Sequence, residues 1–157
     1  KDQETLVMVL NRAVLRITKG EKYLTFFIAV ADLEKAKLYY VNAGHIPPVL
    51  YRKGSITDLK ATTTIIGHFE DLPDNHEGEL DLTPGSLLLA FTDGLTDVKN
   101  RGGHQFSSEM IRDFVAAHHA DPPQAICHDI MDEVLDFGKK TELPDDIAIM
   151  SFKFMGE

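Results

Sequence analysis

Apolar residues recur at Leu6, Val9, Leu10, Ala13, Val14 and Ile17, the three-to-four spacing of one helical stripe, and predict a helix over 5–17. Lys19-Gly20 stops it. Downstream the period shortens. Residues 23–30 are aromatic and aliphatic enough for a buried strand, and 37–43 would pair with it after a turn at 32–35. Segments 49–52 and 55–59, split by Lys53-Gly54, predict a second hairpin, and the polar stretch 67–78 a loop with a broken strand on its far side. The runs 86–91 and 147–154 are short, rich in Leu, Ile and Phe, and flanked by Pro or Gly, as buried strands are. Between them, 107–118 and 122–137 read as two helices, with the turn residues Asp121-Pro122-Pro123 separating them. The order helix, strands, helices, strand predicts an α+β layered domain, an antiparallel sheet system covered by helices inserted before the last strand. No internal repeat or low-complexity segment interrupts it.

Length and composition narrow the picture. A chain of 157 residues that is 43% hydrophobic fits a single domain over 1–157 with one core. The net charge of −9, from 25 acidic against 16 basic residues, and the lack of a Lys/Arg stripe argue against nucleic-acid binding. No segment approaches the roughly 18 to 20 uninterrupted apolar residues of a membrane span, so no membrane insertion is expected. The lone cysteine, Cys127, excludes an internal disulfide and sits in the helix 122–137 as a structural thiol. With no signal peptide readable at the start, a cytoplasmic location is expected.

Candidate chemistry lies in two acidic motifs far apart in the chain. Phe91-Thr92-Asp93-Gly94-Leu95-Thr96-Asp97 follows one apolar run, and Pro144-Asp145-Asp146-Ile147 precedes another. A carboxylate at the end of a buried strand is held rigidly at the sheet's edge and can meet a second from a neighbouring strand. Oxygen ligands without Cys or His favour magnesium or manganese over zinc. A lone Asp-Gly after a strand is commonly just a turn. A third motif, Asn42-Ala43-Gly44-His45-Ile46-Pro47-Pro48, runs from a strand through a tight loop into another strand.

Taken in order, Asn42-Ala43-Gly44-His45, Thr92-Asp93-Gly94 and Asp145-Asp146-Ile147-Ala148 resemble the PPM-type metal-dependent protein phosphatases, in their SpoIIE/RsbU branch. The resemblance implies an antiparallel β-sandwich flanked by helices in α/β/β/α layers, with metals at one end. It implies hydrolysis of phosphoserine or phosphothreonine by water activated between two Mn2+ or Mg2+ ions. Asp93 is then a direct ligand, and Asp145 or Asp146 another, with Asp145 preferred from the family's alignment. Asn42, Gly44, His45 and Gly94 form supporting loops: Asn42 ties down loop backbone, and His45 reaches a phosphate or bonds backbone carbonyls.

The family also carries two upstream metal-binding elements, an Asp on an early strand and a Gly-Asp pair before a Gly-His-Gly stretch. Neither occurs here, and Lys1 would already lie inside the helix that follows them. The chain is therefore expected to be N-terminally incomplete and inactive on its own. The implied partners are a phosphoprotein, an anti-sigma factor antagonist, and an upstream sensor or receiver module. Two alternatives stay open: a catalytically dead PPM-like regulatory or interaction module, and a metal-free α+β binding domain. Asp97 is left outside the metal set, and His118, His119 and His128, lacking ligand-like partners, read as surface or packing residues.

Overall fold

A computed structural model describes residues 2–139 and 143–156; Lys1 lies outside them. The chain divides into two compact units, residues 1–47 with 59–82 and residues 48–58 with 83–157. Among the described residues no helix is long and apolar enough to cross a membrane.

The first unit holds helix α1 (Asp2–Thr18) and an antiparallel sheet of β1 (Phe26–Asp32), β2 (Lys37–Ala43) and a strand at Gly78–Asp81, in which β2 is central. Lys19 and Gly20 both take positive φ, ending α1 where the sequence predicts. The predicted first strand begins three residues later than expected, leaving Leu24 as an isolated bridge to Ile66. It is half-buried rather than buried, because β1 is an edge strand whose partner in the sheet is β2 alone.

Helix α1 also differs from its predicted stripe. Its buried line runs through Val7 and Asn11, while Leu6, Val9 and Ile17 stay 46%, 59% and 80% exposed. The face is set by what α1 packs on: Val7 and Leu10 close over Val41, Ala43 and Ile66, with Phe26, Ile28 and Leu72 around them. Asn11 is buried because its amide ties down the distant loop at 67–70. Its Nδ2 donates to Phe69 O at 2.9 Å, and its Oδ1 accepts from Gly67 N at 2.8 Å. Asn11→Ala, which leaves both backbone groups without these partners, should cost about 2–3 kcal/mol in urea unfolding. A cost below about 0.5 kcal/mol would mean that water replaces the amide.

The second unit carries the sheet β4-β3-β6-β7. Here β3 is Val49–Arg52, β4 Ser55–Asp58, β5 the Gly78–Asp81 strand of the first unit, β6 Ser86–Phe91 and β7 Ile149–Phe154. The Lys53-Gly54 turn joins β3 and β4 as predicted, with positive φ at both residues. Helices α2 (Gly94–Asp97), α3 (Ser108–His118) and α4 (Pro123–Phe137) follow β6. Ser107 caps α3 by accepting from Met110 N, and Pro122 precedes α4.

Ile111, Phe114 and Val115 of α3 and Ile126, Ile130 and Val134 of α4 are buried, with Phe106 set edge-on to Phe137. Strand β6 is buried along nearly its whole length, being flanked by β3 and β7. The last strand starts two residues later than predicted and is mostly half-buried, since β7 is an edge. The Cys127 thiol donates to Ser151 Oγ at 3.3 Å, the structural role expected of it.

Candidate metal centre

Asp93 lies two residues past the end of β6 and at the mouth of α2, a short helix that the sequence pattern does not announce. Its backbone carbonyl accepts from Thr96 N and Asp97 N, both at 2.9 Å, and from Thr96 Oγ1 at 3.0 Å. Its side chain makes no capping bond and is exposed. An Asp at a helix start usually spends its carboxylate on the first free amides. Here the carboxylate is left for something else.

Asp145 and Asp146 precede β7 and are also exposed. Asp145 Oδ1 accepts from Asp146 N at 2.8 Å, so one of its oxygens is turned to its own backbone. The ladder of β6 and β7 ends at Phe91↔Ile149, which brings the Asp93 turn and the Asp145-Asp146 segment to the same end of two adjoining strands. Thr92 N donates to Ala148 O at 3.0 Å, and Thr92 Oγ1 donates to Asp146 O at 3.1 Å. Gly94 packs against the same peptide: a Cβ there would fall on the Asp146 carbonyl oxygen and lie 3.0 Å from its carbon. The close approach requires glycine.

The three carboxylates share one end of the strand pair, yet they do not form a cluster with ligand atoms all within 4.8 Å of one another. Like charges without a cation between them repel, and exposed side chains are free to swing apart. The donor set, all carboxylate oxygen, fits a hard divalent ion. Asp97, left out of that set by the sequence, accepts from Gln105 Nε2 at 3.2 Å.

Asn42, Gly44 and His45 lie in the first unit. Asn42 is fully buried; its Nδ2 donates to Leu59 O at 2.9 Å and His45 O at 3.1 Å, and its Oδ1 accepts from His45 N at 2.8 Å. That is the backbone-tying role expected of it. Gly44 has φ +70° and a Cβ there would meet Ile65, so the loop needs glycine on two counts. His45 Nδ1 lies 2.7 Å from Ile46 O, which can only accept, so Nδ1 is the donor in that contact. Gly44 also borders a cleft of about 810 Å³ walled by residues 61–65 and 73–76, which no local sequence signal announced.

One reading is corrected. His118 does have ligand-like partners: among the described residues, His118, Asp121 and Asp129 form the one group of three potential ligands within 4.8 Å. Sequence spacing hid this because Asp129 arrives from the next helix. Each carboxylate of the cluster already has a hydrogen-bond partner: Asp121 Oδ2 lies 2.9 Å from His118 Nδ1, and Asp129 Oδ1 3.3 Å from His128 Nδ1. Nearby, the Lys153 ammonium donates to the backbone carbonyls of Ala120 and Asp121. His119 stacks on Tyr51 with ring centroids 4.1 Å apart, the packing role expected.

Residues 1–155 match the family model described as Stage II sporulation protein E. The chain belongs to the SpoIIE family. It is 25% identical over 143 residues to the phosphoserine phosphatase RsbU of Bacillus subtilis, covering 90% of this chain and 42% of RsbU. A shorter match, 40% identical over 81 residues, covers 50% of this chain and 20% of the phosphoserine phosphatase RsbP of the same organism. The chain thus spans less than half the length of these relatives.

Among solved structures, the SiaA-PP2C domain of Pseudomonas aeruginosa superposes with TM-score 0.82 at 21% identity, over 94% of this chain and 59% of that one. The phosphatase domain of Bacillus subtilis SpoIIE, presoaked with manganese, gives 0.67 at 17% identity, over 98% of this chain and 74% of that one. The family's fold, antiparallel sheets flanked by helices in the PP2C or PPM manner, is therefore the fold of this chain.

Proposed function

We propose that this chain is part of a metal-dependent protein phosphatase domain that hydrolyses a phosphoserine or phosphothreonine monoester on a signalling protein. The observation that supports this most is the juxtaposition of Asp93, its carboxylate left out of helix capping, with the Asp145-Asp146 segment on the adjoining strand. Asp93 with Asp145 or Asp146 would hold manganese or magnesium. Two such ions, when bound, lower the pKa of a shared water and offset the charge of the phosphoryl oxygens. The chain's own residues supply position: Thr92 and Gly94 hold the two acidic segments together.

Support from relatives is consistent: RsbU and RsbP are named phosphoserine phosphatases, and a PstP catalytic domain of this fold was solved with two manganese ions. We extend from them an anti-sigma factor antagonist as the phosphoprotein substrate and an upstream sensor or receiver module as the source of control. With a net charge of −9, long-range attraction would not draw in a phosphoprotein, so affinity rests on bound metal and local contacts.

Three carboxylates are few for two ions, and on this reading the 157 residues alone are inactive. The same shortage of ligands supports a second reading, a PPM-like regulatory module without catalysis. Manganese-dependent hydrolysis of a phosphoserine peptide, by this chain and by the full-length gene product, separates the two. Turnover by the full-length product alone is the expected result. No turnover by either would leave the regulatory module.

A further inference from the structure

The hydroxyl of Thr92 resolves a conflict in the backbone at the end of β6. A continuing antiparallel ladder would pair Thr92 with Ala148 through two bonds, each residue's N–H on the other's carbonyl. One of them is present, Thr92 N donating to Ala148 O at 3.0 Å. The other is not formed: the Thr92 carbonyl accepts from Leu95 N at 3.1 Å, the bond that turns the chain through Asp93 into α2. Ala148 N is instead accepted by Thr92 Oγ1 at 2.9 Å, and that oxygen's own proton goes to Asp146 O at 3.1 Å. One side chain therefore lets β6 turn away into the Asp93 loop while β7 stays docked against it.

We infer that Thr92 is a positioning residue for the metal ligands, its hydroxyl setting the separation of Asp93 from the Asp145-Asp146 segment. The inference rests on the phosphatase reading above. Its chemical content is narrow: the position needs one group that accepts from Ala148 N and donates to Asp146 O at the same time. Serine meets that requirement. Valine keeps the shape of threonine and meets neither half, leaving the Ala148 amide and the Asp146 carbonyl without these bonds.

The test uses the full-length gene product and three readouts: manganese affinity from the EPR signal of the free ion, hydrogen exchange at the Ala148 amide, and phosphopeptide turnover across manganese concentrations. Thr92→Ser should bind manganese within about twofold of wild type, whereas Thr92→Val should weaken it by about tenfold or more, the scale of the two hydrogen bonds lost between the ligand segments. The Ala148 amide should exchange faster in the valine variant. Turnover should recover most of the way at saturating manganese, a split that a general loss of stability does not produce. If the valine variant does not fold, Thr92→Cys, a weaker donor and acceptor, should give the same order in milder form. A valine or cysteine variant with wild-type manganese affinity overturns the inference while leaving the phosphatase reading intact. A wild-type protein that neither binds manganese nor turns over phosphopeptide overturns the reading, and this inference with it.

Discussion

Asp93→Asn in the full-length protein should lower manganese-dependent turnover by about a thousandfold or more, the several kcal/mol that a ligand to a catalytic ion supplies. The melting temperature of the metal-free protein should stay where it is. The two expectations come from the same geometry. Asn matches Asp in shape, and the carboxylate it replaces makes no capping bond and faces solvent, so the fold loses nothing. What it loses is a negative charge at the one end of β6 and β7 where the acidic segments meet. Thermal melts with and without manganese provide the second measurement: wild type should be stabilised by the ion, and the variant not. An Asn variant that still melts higher with manganese and still turns over would show that the ligands lie elsewhere in the protein.

Gly94→Ala should be nearly as severe, for a steric reason. Gly94 opens a helix, where alanine would ordinarily gain up to about 1 kcal/mol. At this position its Cβ would overlap the Asp146 carbonyl oxygen and lie 3.3 Å from Ile147 Cγ1. Both are held from the other side, the Asp146 carbonyl by Thr92 Oγ1 and the strand behind it by the β6–β7 ladder. The added methyl must push the Asp145-Asp146 segment away, at a cost of about 1–3 kcal/mol in stability. A ligand displaced by roughly 1 Å costs about a hundredfold in rate. Urea unfolding and turnover at saturating manganese measure the two effects separately. Full activity in the alanine variant would mean that the segment can withdraw without consequence, and that its distance from Asp93 is not what catalysis depends on.

Much of the site was legible locally. Strand β6 and the Lys53-Gly54 hairpin lie where their patterns placed them, and α3 and α4 each begin one residue past a predicted start that acts as the cap. Other signals pointed the wrong way for reasons that are also physical. The stripe of α1 was read from apolar residues alone, but a buried Asn11 shifts the packed face toward Val7 and leaves Val9 and Ile17 outside. β1 and β7 carry the composition of buried strands and are half-buried, because their place at a sheet edge is a property of the sheet. Helix α2 has only four residues, too few to show a period. His118 looked solitary until the next helix delivered Asp129 beside it.

By itself the sequence determined the order of elements, the turn residues that end them, the oxygen-only chemistry of Asp93, Asp145 and Asp146, and, through three short motifs, the family. Those properties are local: each depends on a residue's type and its neighbours within a few positions. Only the tertiary structure decided that two acidic motifs 54 positions apart share one strand end, and that a threonine hydroxyl holds them there. Strand pairing joins hydrogen-bonding groups that every residue carries, so the identity of the partner leaves no mark in the local pattern. It emerges when burial of β6 between β3 and β7 fixes which backbone lies alongside which.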